Sequence, residues 1–322
     1  MQKGLLLSYD TKRKMSILYR RVGIFVIFVL MFIICCSVKP DVFLTKSNLI
    51  NIMRQMTVVM LIAMSECMVL INGTNDLSPG ATVALAGVIA ATVYQLTHSL
   101  FLSIAISIFI GATVGFIDGT LITTFAMPPF ITTLATQQSA RGLALVFTGG
   151  HTVDGIGKIV NLTQGRWFGI PICVYILIVV CALCYILIHK TKFGRYLYAI
   201  GSNITAAKAS GVNVKQVRLL AYVIGGCITG LAAIIYASRV NSGQPAGGVG
   251  LEFQAITAAI IGGAGMSGGT GSVPGAMVGA LIIGMLNNIL TLCGISSYVQ
   301  QILYGCIIAV AVIIDTVTKN YE

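Results

Sequence analysis

Charge is what this sequence has least of. Lys, Arg, Asp and Glu make up 9% of its 322 residues against 57% hydrophobic residues, too little polar surface for a water-facing globule of this length. Acids number nine and cations twenty. Neither H-E-x-x-H nor G-x-x-x-x-G-K-[ST] occurs, which excludes a helix-borne zinc hydrolase and ATP hydrolysis by a P-loop on this chain. The three histidines, His98, His151 and His189, form no cluster with other ligand residues, and no Ser-His or paired-acid set emerges. Cys181-x-x-Cys184 lies inside VYILIVVCALCYILI, where small apolar side chains in a membrane helix explain it more simply than a redox or metal site. No cofactor or metal is therefore expected on the chain itself.

Apolar runs take the place of the missing charge. They divide into about ten spans: Val22 to Val38, Leu49 to Leu70, Ala81 to Tyr94, Leu100 to Thr123, a run opened by Pro128-Pro129, one ending at His189, one following Arg218, a short one over Phe253 to Gly265, one from Val273 and one over Val299 to Ile314. A span needs about 20 apolar residues. The expected fold is an all-α polytopic membrane protein, with a tail over residues 1–21 and one permeation domain over residues 22–318. Between Lys190 and Arg218 lie six cations and no acid, and six more cations precede the first span. Cation excess in short segments marks the cytoplasmic side, so both termini and the 190–218 loop are expected there. With thirteen of the twenty cations in those two segments and at Lys319, the charge orients the chain in a lipid bilayer rather than binding nucleic acid.

Polar groups inside the apolar runs are the candidate functional residues. Glu66 lies deep in the second run, twelve residues beyond Arg54 and about 18 Å from it along a helix, too far to pair. A mid-helix charge costs about 2.5–3.5 kcal/mol on insertion, so Glu66 is expected to face the bundle interior or a water-filled path. Asn72, Asn75, Asp76 and Ser78 form a polar turn before Pro79, and such backbone at membrane depth is either buried in protein or lines water. Thr133, Gln137 and Arg141 recur every four residues and share one helix face; an interhelical hydrogen-bond seam is the simplest use for that stripe. Asn287-Asn288 add two carboxamides to the ninth run.

Four stretches resemble one known family. NGTNDLSPGATVALAGVIAA, MPPFITTLATQQSARGLALVFTGG, the loop FGRYLYAIGSNITAAKASGVNVKQVRLLAYVIGG and the block SGQPAGGVGLEFQAITAAIIGGAGMSGGTGSVPGAMVGALIIGMLNNIL are similar to the permease subunit of bacterial ABC importers for ribose, xylose, arabinose and galactose. Autoinducer-2 and nucleoside permeases are related. The resemblance implies a non-catalytic subunit of the inner membrane, a second permease copy or paralogue, an extracytoplasmic solute-binding protein, and a cytoplasmic ATP-binding subunit that holds the ATP and Mg. It implies that Gly194, Arg195, Ala206, Ala207 and Gly211 meet the ATPase. Pathway candidates are Glu66, Asn72, Asn75, Asp76, Ser78, Gln137, Arg141, Asn287 and Asn288. Thr74-Asn75, Pro79, Thr205 and Tyr304 depart from the family's usual residues, which leaves the solute open among a ribose-like sugar, a nucleoside, autoinducer-2 and an amino acid. An ion-coupled secondary transporter using Glu66 or Asp76 is the alternative mechanism.

Overall fold

Proline and short polar side chains start most of the helices. In the computed structural model, which describes residues 23–320, α1 (Gly23–Val38) is followed by α2 (Pro40–Phe43), α3 (Lys46–Ile71), α4 (Pro79–Thr97), α5 (Leu100–Thr123), α6 (Pro129–Thr148), α7 (Asn161–Gln164), α8 (Ile172–Lys190), α9 (Lys192–Ser202), α10 (Ile204–Ala209), α11 (Val214–Val240), α12 (Leu251–Ile261), α13 (Val273–Leu292) and α14 (Ser297–Asn320). Pro79 and Pro129 stand in the first turns of α4 and α6, where a missing N–H leaves nothing unbonded. Thr45, Asn203 and Ser272 accept backbone N–H groups as N-caps of α3, α10 and α13. The only sheet among the described residues is a hairpin of two-residue strands, β1 (Arg166–Trp167) and β2 (Ile170–Pro171). The tail over residues 1–21 and its cations lie outside the described residues.

Among the described residues six helices, α3, α4, α5, α8, α11 and α13, are long and apolar enough to cross a membrane. α1 and α12 are shorter apolar helices. The eighth expected run, read as short, is short in the structure: α12 ends at Ile261 after 11 residues, about 16 Å of rise against a hydrocarbon core of about 30 Å. Glycine-rich segments on both sides carry the chain into the protein instead of continuing the helix.

α3 is the axis. Nineteen of its 26 residues are buried, and α8, α11, α12 and α13 pack around it. The outer helices show the opposite pattern: Phe101, Phe109 and Phe116 of α5, Val146 of α6 and Leu183 of α8 are exposed. Large apolar groups facing outward suit a lipid environment, and the chain is a multi-pass membrane protein.

The longest helix contact joins α5 to α11. Gly111, Gly115 and Gly119 recur every four residues on α5, Gly111 against Gly226 and Gly230 of α11, Gly115 against Tyr222 and Gly119 against Leu219. A Cβ on Gly111 would overlap Gly226 O, and one on Gly230 would overlap Ser107 O. Backbone meets backbone along this seam, the use membranes make of small residues at four-residue spacing. Ser107 Oγ donates to Gly230 O at 2.6 Å and fixes the register.

Loop contacts sort into two ends. At one, Gly269 N donates to Ile71 O at 2.9 Å and Tyr198 OH to Gly271 O at 2.8 Å, joining the end of α3, α9 and the 262–272 segment. At the other, Val153 and Gly243 exchange backbone bonds at 2.8 Å, Lys158 N donates to Tyr94 OH at 2.8 Å, and Thr163 N donates to Ser238 Oγ at 3.0 Å.

Candidate functional site

Carboxamides from four helices converge on one cavity. Gln55 of α3, Gln254 of α12, Asn287 of α13 and Gln300 and Gln301 of α14 line a space of about 520 Å³, with Phe253 and Tyr304 beside them. Among the described residues no charged side chain lines it. Asn287 Nδ2 donates to Gln254 Oε1 at 3.3 Å, and Gln300 Nε2 donates to Ile295 O at 2.9 Å. Each carboxamide offers a donor pair and an acceptor, so the wall can exchange hydrogen bonds with hydroxyls of either polarity. An uncharged ligand rich in hydroxyls fits this chemistry.

The sequence candidates divide around this cavity. Asn287 lines it. Asn288 turns away and pairs with Asn48, each amide donating to the other at 3.0 and 2.8 Å, next to a second cavity. Glu66, Asn72, Asp76 and Ser78 are buried and do not line the first cavity. Asp76 Oδ1 accepts from Ser78 N at 2.8 Å, closing the turn before α4, and Asn75 O accepts from Tyr222 OH at 3.0 Å.

Gln137 and Arg141 tie α6 to the start of α12 and to the loop before it. Gln137 Nε2 donates to Glu252 Oε1 at 2.9 Å, while Arg141 donates to Pro245 O at 3.0 Å and to Gly247 O. The third member, Thr133, bonds back to Pro129 O in its own helix. α6 thus holds the segment that leads into α12. Glu252, buried in the first turn of α12, also accepts from Gly250 N at 3.3 Å. Its other oxygen lies where a Cβ on Gly80 would be, against the first turn of α4. A carboxylate there complements the unbonded N–H groups of a helix start.

The 190–218 loop folds into α9 and α10. α9 turns Gly194, Leu197 and Ile200 inward and keeps Arg195 exposed. In α10, Ala207 is buried while Ala206 is exposed; Gly211, at φ 80°, is exposed with open space around it. Gly194 and Ala207 therefore pack the loop onto the protein, and Arg195, Ala206 and Gly211 remain on its free face. Gly201 lies where any Cβ would overlap Ile71 O, which brings α9 against the end of α3. Burial pushes the Tyr198 phenol above its ordinary pKa, so it stays a neutral donor to Gly271 O.

Residues 48–312 match the family model described as the branched-chain amino acid transport system permease component. The chain belongs to this permease family. The permease is 36% identical to the ribose import permease protein of Haemophilus influenzae over 296 residues, 90% of this chain and 91% of that protein. It is 38% identical to the ribose import permease protein of Bacillus subtilis over 286 residues, 88% and 89% of the two chains. The D-allose transport system permease protein of Escherichia coli is 33% identical over 302 residues, 93% of each. No solved structure matches. Permeases of this family carry solute and are not catalysts.

In this permease, sequence reading missed Gln55, Gln254, Gln300, Gln301 and Tyr304 as cavity residues and Glu252 as the partner of Gln137. The available signal was a carboxamide or acid within or next to an apolar run, the same signal that selected Asn287. It could not say which such groups share a space.

Proposed function

We propose that this permease is the transmembrane subunit of an ABC importer that carries a monosaccharide, ribose or a close analogue, across the inner membrane. ATP hydrolysis belongs to a separate cytoplasmic subunit, and an extracytoplasmic binding protein delivers the sugar to a pair of permeases. The observation that carries the reading is the cavity of five carboxamides without a fixed charge, supported by similarity to ribose and allose permeases along most of the chain. A zwitterionic amino acid would call for charged partners that this wall lacks. Ion coupling through Glu66 or Asp76 has less support, because neither lines the cavity.

We further propose ten crossings with both termini in the cytoplasm. Lys190, Lys192, Arg195, Lys208 and Lys215 are exposed on the loop, the location that cation bias assigns to the cytoplasmic side. Motion would reach the spans through α9, anchored on the ends of α3 and of the 262–272 segment. The test is uptake of labelled D-ribose by a strain deleted for its own permease and supplied with this chain, a cognate ATPase and a binding protein. Gln254→Leu should reduce uptake at least tenfold at unchanged membrane abundance. Gradient-driven uptake by the purified chain alone, in vesicles without an ATPase, would overturn the ABC reading.

A further inference from the structure

A second cavity lies on the other side of Gln55. It holds about 360 Å³ and is lined by Arg54 and Arg239 together with Asn48, Asn51, Gln164 and Asn288. Among its lining residues there is no carboxylate. Arg54 stands eight residues beyond the start of α3, about 12 Å down the helix. Arg239 is in the last turn of α11. Two segments more than 180 residues apart in sequence thus bring two guanidiniums to one polar space at the end of the molecule opposite α9 and α10.

Part of the remaining wall is committed elsewhere. Asn48 and Asn288 bond to each other at 3.0 and 2.8 Å, and Asn48 also donates to Phe43 O at 2.9 Å. Thr163, packed on Ser238 by two bonds of 3.0 and 2.8 Å, holds α7 against the residue next to Arg239. Arg54 Nε is buried without a hydrogen-bond partner. A guanidinium carries five N–H groups and cannot shed its charge. Two of them lining one cavity repel each other, and an anion between them would relieve that repulsion. Arginine forks match the oxygens of carboxylate and phosphate.

We infer that the cavity between Arg54 and Arg239 is an anion site that takes a carboxylate or phosphate borne on a small polar molecule. The volume exceeds what a lone oxyanion needs, and the carboxamide walls suit a polar remainder. The same chemistry is present in a water-soluble phosphate ester and in a phospholipid headgroup. The inference is independent of the sugar assignment, since it uses the other cavity and none of its own residues except the shared Gln55.

The test uses the purified full-length permease in nanodiscs of pure phosphatidylcholine, titrated with glycerol 3-phosphate at constant ionic strength, with glycerol as the uncharged control. Trp167, the chain's one tryptophan, lies three residues past Gln164 and reports binding by its fluorescence, alongside the thermal unfolding midpoint. Saturable response to the phosphate ester alone, weakened at least tenfold by R54Q or R239Q and largely retained in R54K and R239K, is expected for a water-soluble ligand. If only nanodiscs containing phosphatidylglycerol raise the midpoint, and do so for the wild type but not the double Gln variant, a lipid headgroup is the occupant. No response to either anion, or equal responses in the wild type and the double Gln variant, overturns the site. The Lys variants guard against misreading a folding defect, since they keep the charge while removing the fork.

Discussion

Replacing Gly111 by Ala tests the α5–α11 seam most directly. The added Cβ would overlap Gly226 O and come within 2.7 Å of Gly230 N and 2.8 Å of Gly230 Cα. Ordinary carbon contacts begin near 3.4 Å, so the helices must part by the better part of an ångström at their tightest point. A gap of 0.5–1 Å forfeits about a quarter to a half of each dispersion contact, and overpacking of this sort costs about 1–3 kcal/mol. Against that, exchanging a helical Gly for Ala favours the helix by up to about 1 kcal/mol. Gly142 of α6 supplies the control, because nothing lies within 4 Å of its added Cβ. Gly142→Ala should therefore be neutral or stabilising. Gly111→Ala should be less stable than Gly142→Ala by about 1–3 kcal/mol, the packing cost alone, because the helix gain is common to both. Unfolding in mixed micelles of increasing denaturing detergent, followed by near-ultraviolet circular dichroism, measures the difference. Equal stability of the two variants would refute backbone contact along the seam. Because α11 begins where the 190–218 loop ends, Gly111→Ala should also lower coupled transport more than it lowers membrane insertion.

The other predictions concern the site and the loop. Ala206→Arg places a long cation on the exposed face of α10 without internal contact, and capture of the ATPase by the detergent-solubilised permease should be lost while insertion is unchanged; undiminished capture would mean the ATPase docks elsewhere. Tyr198→Phe removes the donor to Gly271 O and should destabilise by about 1 kcal/mol, the usual net worth of one such bond, read as a lower unfolding midpoint. Glu252→Ala leaves Gln137 without its acceptor and exposes the start of α4 to an empty space, costing about 1–3 kcal/mol by the penalty for an unsatisfied buried group; Glu252→Gln should recover much of this loss. Asn287→Leu should depress ribose uptake while leaving the melting temperature nearly unchanged, whereas Asn288→Leu, which breaks the pair with Asn48, should lower the melting temperature.

How much was legible depended on the range of the signal. Hydropathy is a local property, and it marked helices at every expected run, with starts displaced by a few residues where Thr45 or Pro79 set the cap. That Gln137 and Arg141 share a face followed from four-residue spacing; in the structure Gln137 bonds across to Glu252 of α12, whereas Arg141 bonds to loop carbonyls. That the eighth run is short was legible, but the path of the chain beyond it was not, because glycines at 262–263 and 268–269 read equally as a membrane end or as a turn within the protein. Their role appears only from what they touch: Gly269 N meets Ile71 O, and a Cβ on Gly262 would overlap the backbone at Gly275.

The sequence by itself determined the solvent, the helical class and the cation-rich loop, since each follows from composition over windows of about 20 residues. It also carried the family, through motifs spread along most of the chain. Which polar groups share a space was decided only by the tertiary structure. Asn48 and Asn288 are 240 positions apart and bond as neighbours, Gln55 and Asn287 line one cavity, and Arg54 joins Arg239 in another. The physical reason is that lipid offers no hydrophobic force to arrange helices among themselves. Their order is set by where glycines let backbones touch and where buried amides and acids find partners, and neither is visible until the helices lie side by side.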